Sequence, residues 1–213
     1  MIQKYRHVSF DLDGTLVHTV PEYRHELVPR VVAKLGGRVR EPRSIDRFWF
    51  ESSRANIIRN EFELDPKKFW DLFHALDIAE ERAHHTWLYP DAEPTLQELK
   101  RRGKGLSIIT GAPQWIADME IGKLTGVTCD YCLSITHSPY SEKPDPASFV
   151  HVMQHLGLEP HDVIYVGNSN EDAYYAKNAG VDFIYLERKE HEFDLKDYAL
   201  ATISSLSELL GER

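Results

Sequence analysis

Two aspartates spaced two apart, Asp11 and Asp13, close an apolar stretch in "SFDLDGTLV" (9–17) and run straight into a Gly-Thr turn. Three further groups fall at comparable places. Thr110-Gly111 ends the apolar run "GLSIIT" and precedes a helical pattern, Lys143 lies in "SEKPDP", and "GNSNED" (167–172) follows the apolar run "DVIYV". Carboxylates from two strand ends, a hydroxyl at a helix start and one lysine suit phosphoryl chemistry. A carboxylate can attack phosphorus. A hard, oxygen-only site with few protein ligands suits Mg²⁺. Thr110 and the N–H groups after it can hold phosphate oxygens at a helix N-terminus, and an ammonium such as Lys143 neutralises charge as a point cation.

The elements that must position these groups follow from the pattern of apolar runs. Residues 7–12, 105–110, 162–167 and 182–186 read as buried strands, with a weaker fifth at 131–136. Helical patterns lie between them at 93–103, 113–126, 146–157 and 170–180. This alternation predicts a mostly parallel sheet with helices on both faces, a Rossmann-like three-layer α/β core. Ligands in such sheets sit outside the carboxyl ends of the strands, where three of the four groups fall, while Lys143 lies just before the helix that leads into the strand at 162–167. The interval 18–88 breaks the alternation and reads as helices only, with enough aromatics (Phe48, Trp49, Phe50, Phe62, Phe69, Trp70, Phe73) for a small core of its own. The expected organisation is a core domain of 1–17 and 89–213 with an all-helical domain of 18–88 inserted after the first strand as a candidate lid. Within it "ESSRANIIRN" sets Arg54 among small and polar residues, as a candidate substrate contact.

Composition excludes several classes. The 213 residues are 42% hydrophobic and 28% charged, which supports a globular core rather than disorder. A net charge of −9 argues against a nucleic-acid partner. No apolar run approaches the ~20 residues of a membrane-spanning helix, and no signal peptide is apparent, so the expected location is the cytoplasm. The only cysteines, Cys129 and Cys132 in "CDYC", lack a second pair for a zinc site and are expected to be ordinary core or near-core thiols.

"FDLDGTLV", "IITGA", "EKPDP" and "VGNSNEDAYYAKNAGV", in that order, resemble the four motifs of the haloacid dehalogenase (HAD) superfamily. Residues 18–88 resemble the helical cap of its phosphoglycolate-phosphatase-like members, and "LYPDAEPTLQELKRRG" resembles their re-entry into the core. The resemblance implies a Mg²⁺-dependent phosphatase acting on a small phosphorylated metabolite. Asp11 would be the nucleophile, giving an aspartyl-phosphate. Asp13 would be the acid/base, its backbone carbonyl touching the metal. Thr110 and Gly111 would bind the phosphoryl group, Lys143 would hold nucleophile and phosphate, and Asp172 would lie at or just behind the metal. Asn168 stands where these phosphatases most often carry aspartate; its carbonyl can still ligate Mg²⁺, with one negative charge fewer. Two alternatives stay open at this point: a 2-haloacid dehalogenase, which Asp13 argues against, and a catalytically weak binding protein of the same fold. The oligomeric state is not legible.

Overall fold

A computed structural model describes residues 2–51, 53–136, 138–191 and 194–211. In chain order the elements are β1 (His7–Phe10), β2 (Val17–Thr19), α1 (Pro21–Lys34), α2 (Arg43–Phe50), α3 (Arg54–Asn60), α4 (Pro66–Leu76), α5 (Ala79–Ala83), β3 (Thr86–Leu88), α6 (Ala92–Arg101), β4 (Gly105–Thr110), α7 (Gln114–Ile121), β5 (Tyr131–Ser134), α8 (Ala147–Leu156), β6 (Val163–Gly167), α9 (Asn170–Ala179), β7 (Asp182–Leu186) and β8 (Ala201–Ile203). The chain divides into two units, Met1–His18 with Trp87–Arg213, and Thr19–Thr86.

In the larger unit six strands form a sheet in the order β5-β4-β1-β6-β7-β8, every neighbouring pair parallel. Strands covered on both faces need apolar residues of both parities, and these have them. Val8, Phe10, Leu106, Ile108, Ile164, Val166, Ile184 and Leu186 belong to one core with Leu96 and Leu99 of α6. Ile109, Val163, Tyr165, Phe183 and Tyr185 belong to the other, with Phe149 and Val152 of α8 and Tyr175 and Ala176 of α9. The result is three layers. The exception is β1, whose residues His7 and Ser9 are buried and polar, and two further on comes Asp11. The first two are satisfied sideways: Ser107 donates to Ser9 at 2.9 Å, and its hydroxyl also lies 2.9 Å from His7 Nε2.

The smaller unit has its own core, in which Tyr23, Leu27, Val31, Phe48, Ile57, Phe62, Phe69 and Phe73 pack together. Two stretches of this helical interval, 44–62 and 65–87, each hold two separate helices. In the first, α2 ends at Phe50 and α3 begins at Arg54; in the second, α4 and α5 are separated at Asp77-Ile78. The second break has a visible cause: the buried Asp77 carboxylate takes the Tyr23 hydroxyl at 2.8 Å and Arg82 at 3.2 Å instead of facing water beside a continuing helix.

The interval 18–88, expected to be all helical, also holds strand residues at both its ends. β2 and β3 pair with each other, so the unit boundaries fall one or two residues from those expected. Leu16 and Tyr89 are joined by a backbone hydrogen bond of 3.0 Å, and Val20 and His85 by one of 2.9 Å. Arg188, after β7, grips Asp91 at 2.8 and 3.0 Å and the Thr15 carbonyl at 3.1 Å. The residues just before and just after the insertion are thereby stitched together. The cysteine expectation needs correcting: Cys129 is half-buried but Cys132 is exposed, because β5 is an edge strand.

Candidate active site

Strand geometry brings the predicted groups to one edge of the sheet. β1, β4 and β6 are parallel neighbours, so Asp11, Thr110 and Asn168, each at or just past a strand's last residue, all emerge at the carboxyl ends. The Asp11 N–H donates to the Val166 carbonyl at 2.9 Å, extending the β1–β6 ladder by one residue and fixing the aspartate's backbone. The chain then turns sharply, with the N–H groups of Thr15, Leu16 and Val17 all directed to the Leu12 carbonyl. Gly14 sits in this turn at φ +79°, and an added Cβ would lie 2.1 Å from Asn168 Nδ2. Only glycine meets both demands.

Asp172 is placed by the start of α9. Ser169 caps that helix, accepting from the Asp172 N–H at 3.1 Å. The Asp172 carboxylate returns the bond: Oδ2 accepts from the N–H groups of Asn168 and Ser169, each at 3.2 Å, and from the Ser169 hydroxyl at 2.7 Å. This capping box holds the other oxygen, Oδ1, toward the site. Gly167 leaves it room, since a Cβ there would lie 2.6 Å from Asp172 Cγ.

Lys143 joins the two carboxylates. Its Nζ donates to Asp11 Oδ1 at 2.7 Å, to Asp172 Oδ1 at 2.9 Å and to the Tyr165 hydroxyl at 2.7 Å. All of these groups are buried. Their ionisation follows from that. Burial and the Asp172 charge push Asp11 up to about 7, against the pull of Lys143. Burial would lower Lys143, but Asp11 and Asp172 outweigh it and hold the ammonium above its ordinary value. Burial would raise Asp172, but Lys143 and the Ser169 hydroxyl hold it below the usual carboxylate range. Asp172 is therefore the firm anion, and Asp11 the responsive one.

The two oxygens of Asp11 are held differently. Oδ1 is committed to Lys143, whereas Oδ2 has one long contact, 3.4 Å from the Thr15 hydroxyl. The same hydroxyl lies 3.5 Å from Asn168 Oδ1. Oxygens from two strand ends thus both lie within 3.5 Å of the Thr15 hydroxyl, and among the described residues the buried Asn168 Nδ2 has no partner. Among the described residues no three His, Cys, Asp or Glu side chains gather into a metal cage. A hard cation that keeps several waters and takes a few protein oxygens fits these donors; a tightly caged transition metal does not. Asp172 has five protein donors on its carboxylate, so it orients Lys143 and the Asn168 loop from behind.

The remaining predicted residues take varied places. Asp13 is half-exposed in the turn after Leu12. Thr110 is buried and its hydroxyl accepts the Ala112 N–H at 3.1 Å, which shapes its own loop and leaves its proton to be donated. Gly111 faces open space. Arg54 lies in the smaller unit, where it donates to the carbonyls of Phe48 and Trp49. Two residues escaped the sequence reading. Thr15 bridges Asp11 and Asn168, and its place in the turn after the paired aspartates was the available clue. Tyr165 was counted only as a strand residue.

The family model of haloacid dehalogenase-like hydrolases matches residues 5–180. Phosphoglycolate phosphatase 1 of Pseudomonas aeruginosa is 32% identical over 196 residues, covering 83% of this chain and 67% of its own. A phosphoglycolate phosphatase of Mannheimia succiniciproducens is 26% identical over 198 residues, covering 84% of each. Among solved structures, the HAD phosphatase from Thermococcus onnurineus superposes with a TM-score of 0.68 at 27% identity, over 97% of this chain and 98% of that one. The chain belongs to the haloacid dehalogenase-like hydrolases and is an enzyme of their phosphatase type.

Proposed function

We propose that the enzyme hydrolyses a small phosphate monoester of the phosphoglycolate kind, with Mg²⁺, through an aspartyl-phosphate on Asp11. The observation that carries this reading is the asymmetry of the Asp11 carboxylate: one oxygen is tied to Lys143 at 2.7 Å, and the other is nearly uncommitted at the carboxyl edge of the sheet. The choice of phosphoglycolate is supported by the names of the curated relatives.

Asp11 Oδ2 attacks phosphorus, forming the acyl-phosphate bond as the bond to the ester oxygen breaks. The departing alkoxide takes a proton from Asp13, two residues along the same turn. Asp13, now a carboxylate, accepts a proton from water as that water attacks phosphorus, which releases inorganic phosphate and returns the Asp11 carboxylate. Lys143 offsets the charge that gathers on the phosphoryl oxygens, and the Thr110 hydroxyl is available to donate to one of them. Asp11, the Asp13 carbonyl and Asn168 Oδ1 would hold Mg²⁺, which supplies positive charge to the phosphoryl group when bound.

Phosphate release from phosphoglycolate, p-nitrophenyl phosphate and a panel of small esters, with Mg²⁺ and with chelator, tests the reading. The expected result is Mg²⁺-dependent turnover that falls by at least ~10³-fold in Asp11→Asn. Folded protein with no turnover at any Mg²⁺ concentration would overturn it, and chloride release from 2-haloacids would be assayed next.

A further inference from the structure

An alkylammonium has three N–H bonds, and a buried one leaves a costly unsatisfied donor unless each finds an acceptor. Lys143 has three acceptors at hydrogen-bond distance, and only two are carboxylates. The third is the hydroxyl of Tyr165, a residue of β6 with no exposed surface. That hydroxyl passes its own proton on, lying 3.1 Å from Asp172 Oδ1 and 3.4 Å from the Ile109 carbonyl. Burial and the nearby carboxylates raise its pKa well above the ordinary tyrosine value, so it stays a neutral hydroxyl. The ring is clamped by Phe149 and Tyr175, with centroids 5.2 and 5.7 Å away. The oxygen therefore has little freedom to move.

This arrangement constrains the lysine. With only Asp11 and Asp172 as acceptors, the ammonium could rotate about the line joining them and share its third hydrogen with either Asp11 oxygen. The Tyr165 oxygen removes that freedom. It pins Nζ on the Oδ1 side of Asp11 and so leaves Oδ2 for phosphorus.

We propose that Tyr165 is a positioning residue for the reaction, acting through Lys143 to hold one Asp11 oxygen back and leave the other to attack. The inference rests on the phosphatase reading above. Tyr165 makes no contact with substrate in this role. Its loss would slow the step in which Asp11 attacks without weakening substrate binding, because misplacement of a reacting atom acts on attack itself.

Rapid-quench single turnover on native protein and Tyr165→Phe, with a crystal structure of the variant, tests this. Phenylalanine keeps the packed ring. The first-order rate of Asp11 phosphorylation at saturating substrate is expected to fall about 10- to 100-fold. The substrate concentration giving half that rate should stay within about twofold. In the crystal, Lys143 Nζ should leave its place on Asp11 Oδ1. Tyr175→Phe is the control, since that hydroxyl bonds Ser148 at 2.6 Å, and its rate should match native. An unchanged rate in Tyr165→Phe, or a loss matched by weakened binding, overturns the proposal. If native protein has no turnover, the phosphatase reading fails instead, and the Lys143 position alone decides: an unmoved Nζ overturns the proposal. Should Tyr165→Phe fail to fold, Tyr165→Met is taken through the same measurements.

Discussion

Both units bury charge, and they do so to opposite effect. In the smaller unit the buried arginines among the described residues, Arg24 and Arg82, each face a carboxylate. Arg82 donates to Asp77 at 3.2 Å with its guanidinium 5.0 Å over the Trp49 ring, and Arg24 donates to Asp46 at 2.7 Å while lying 5.0 Å over Phe50. In the larger unit two carboxylates share one ammonium. The balanced pairs tie helices together. The unbalanced trio leaves an excess anion, and Asp11, pushed up to about 7, is where the excess is felt. A buried cluster that balances is architecture; one that does not is poised to receive a cation or an electrophile.

The sharpest way to break this contrast is to neutralise one acid on each side. Asp77→Asn takes the charged partner from a buried arginine and is expected to cost about 3–5 kcal/mol of stability, read by urea unfolding. A loss below ~1 kcal/mol would mean that the pair is not architectural. A second measurement uses His7, buried against Ser107 and lowered to about 4, chiefly by burial. Its folded value lies below its ordinary 6.5, so its contribution is present above pH 6.5 and is lost as the pH falls toward 4. Between pH 7 and 4.5 the native protein should lose about 2–3 kcal/mol more than His7→Gln. Equal slopes would show that the histidine is not held neutral.

Asp11→Asn should do the reverse of Asp77→Asn. The folded-state value of Asp11 stands above its ordinary 3.8, so its ionised form works against the fold at pH 8. Without bound metal the variant should be roughly 1–3 kcal/mol more stable than native, and a destabilised variant would place Asp11 among the architectural charges. The smallest effect concerns Asn168. Asn168→Asp adds a charge beside two hard oxygens and should tighten Mg²⁺ about tenfold by calorimetry. Unchanged affinity would mean that residue 168 does not touch the metal.

That Asp11, Lys143 and Asp172 come together was legible from the order of their motifs along the chain, and the five longer strands were legible because they are apolar runs bounded by polar residues or glycine. Tyr165 was not, since a tyrosine inside "DVIYVG" fits a buried strand on propensity alone and its hydroxyl partners come from distant segments. The break at Asp77 was hidden for the same reason: its cause is the pairing of Asp77 with Tyr23 and Arg82, which no local pattern encodes. β2, β3 and β8 are three residues each, too short to show a period.

The stitching around the insertion has a consequence for how such a chain can vary. Closing a loop of some seventy residues costs entropy that grows only as the logarithm of its length. Here the two ends are already joined by β2–β3 pairing, by the Leu16–Tyr89 bond and by Arg188 bridging Thr15 and Asp91. The socket is thus closed by the residues that frame it, largely independently of what is plugged into it. Lengthening, shortening or exchanging the plugged segment changes a logarithm and leaves the turn after Asp11 where it is. The inserted segment can diversify in such a chain without the framing residues being rebuilt each time.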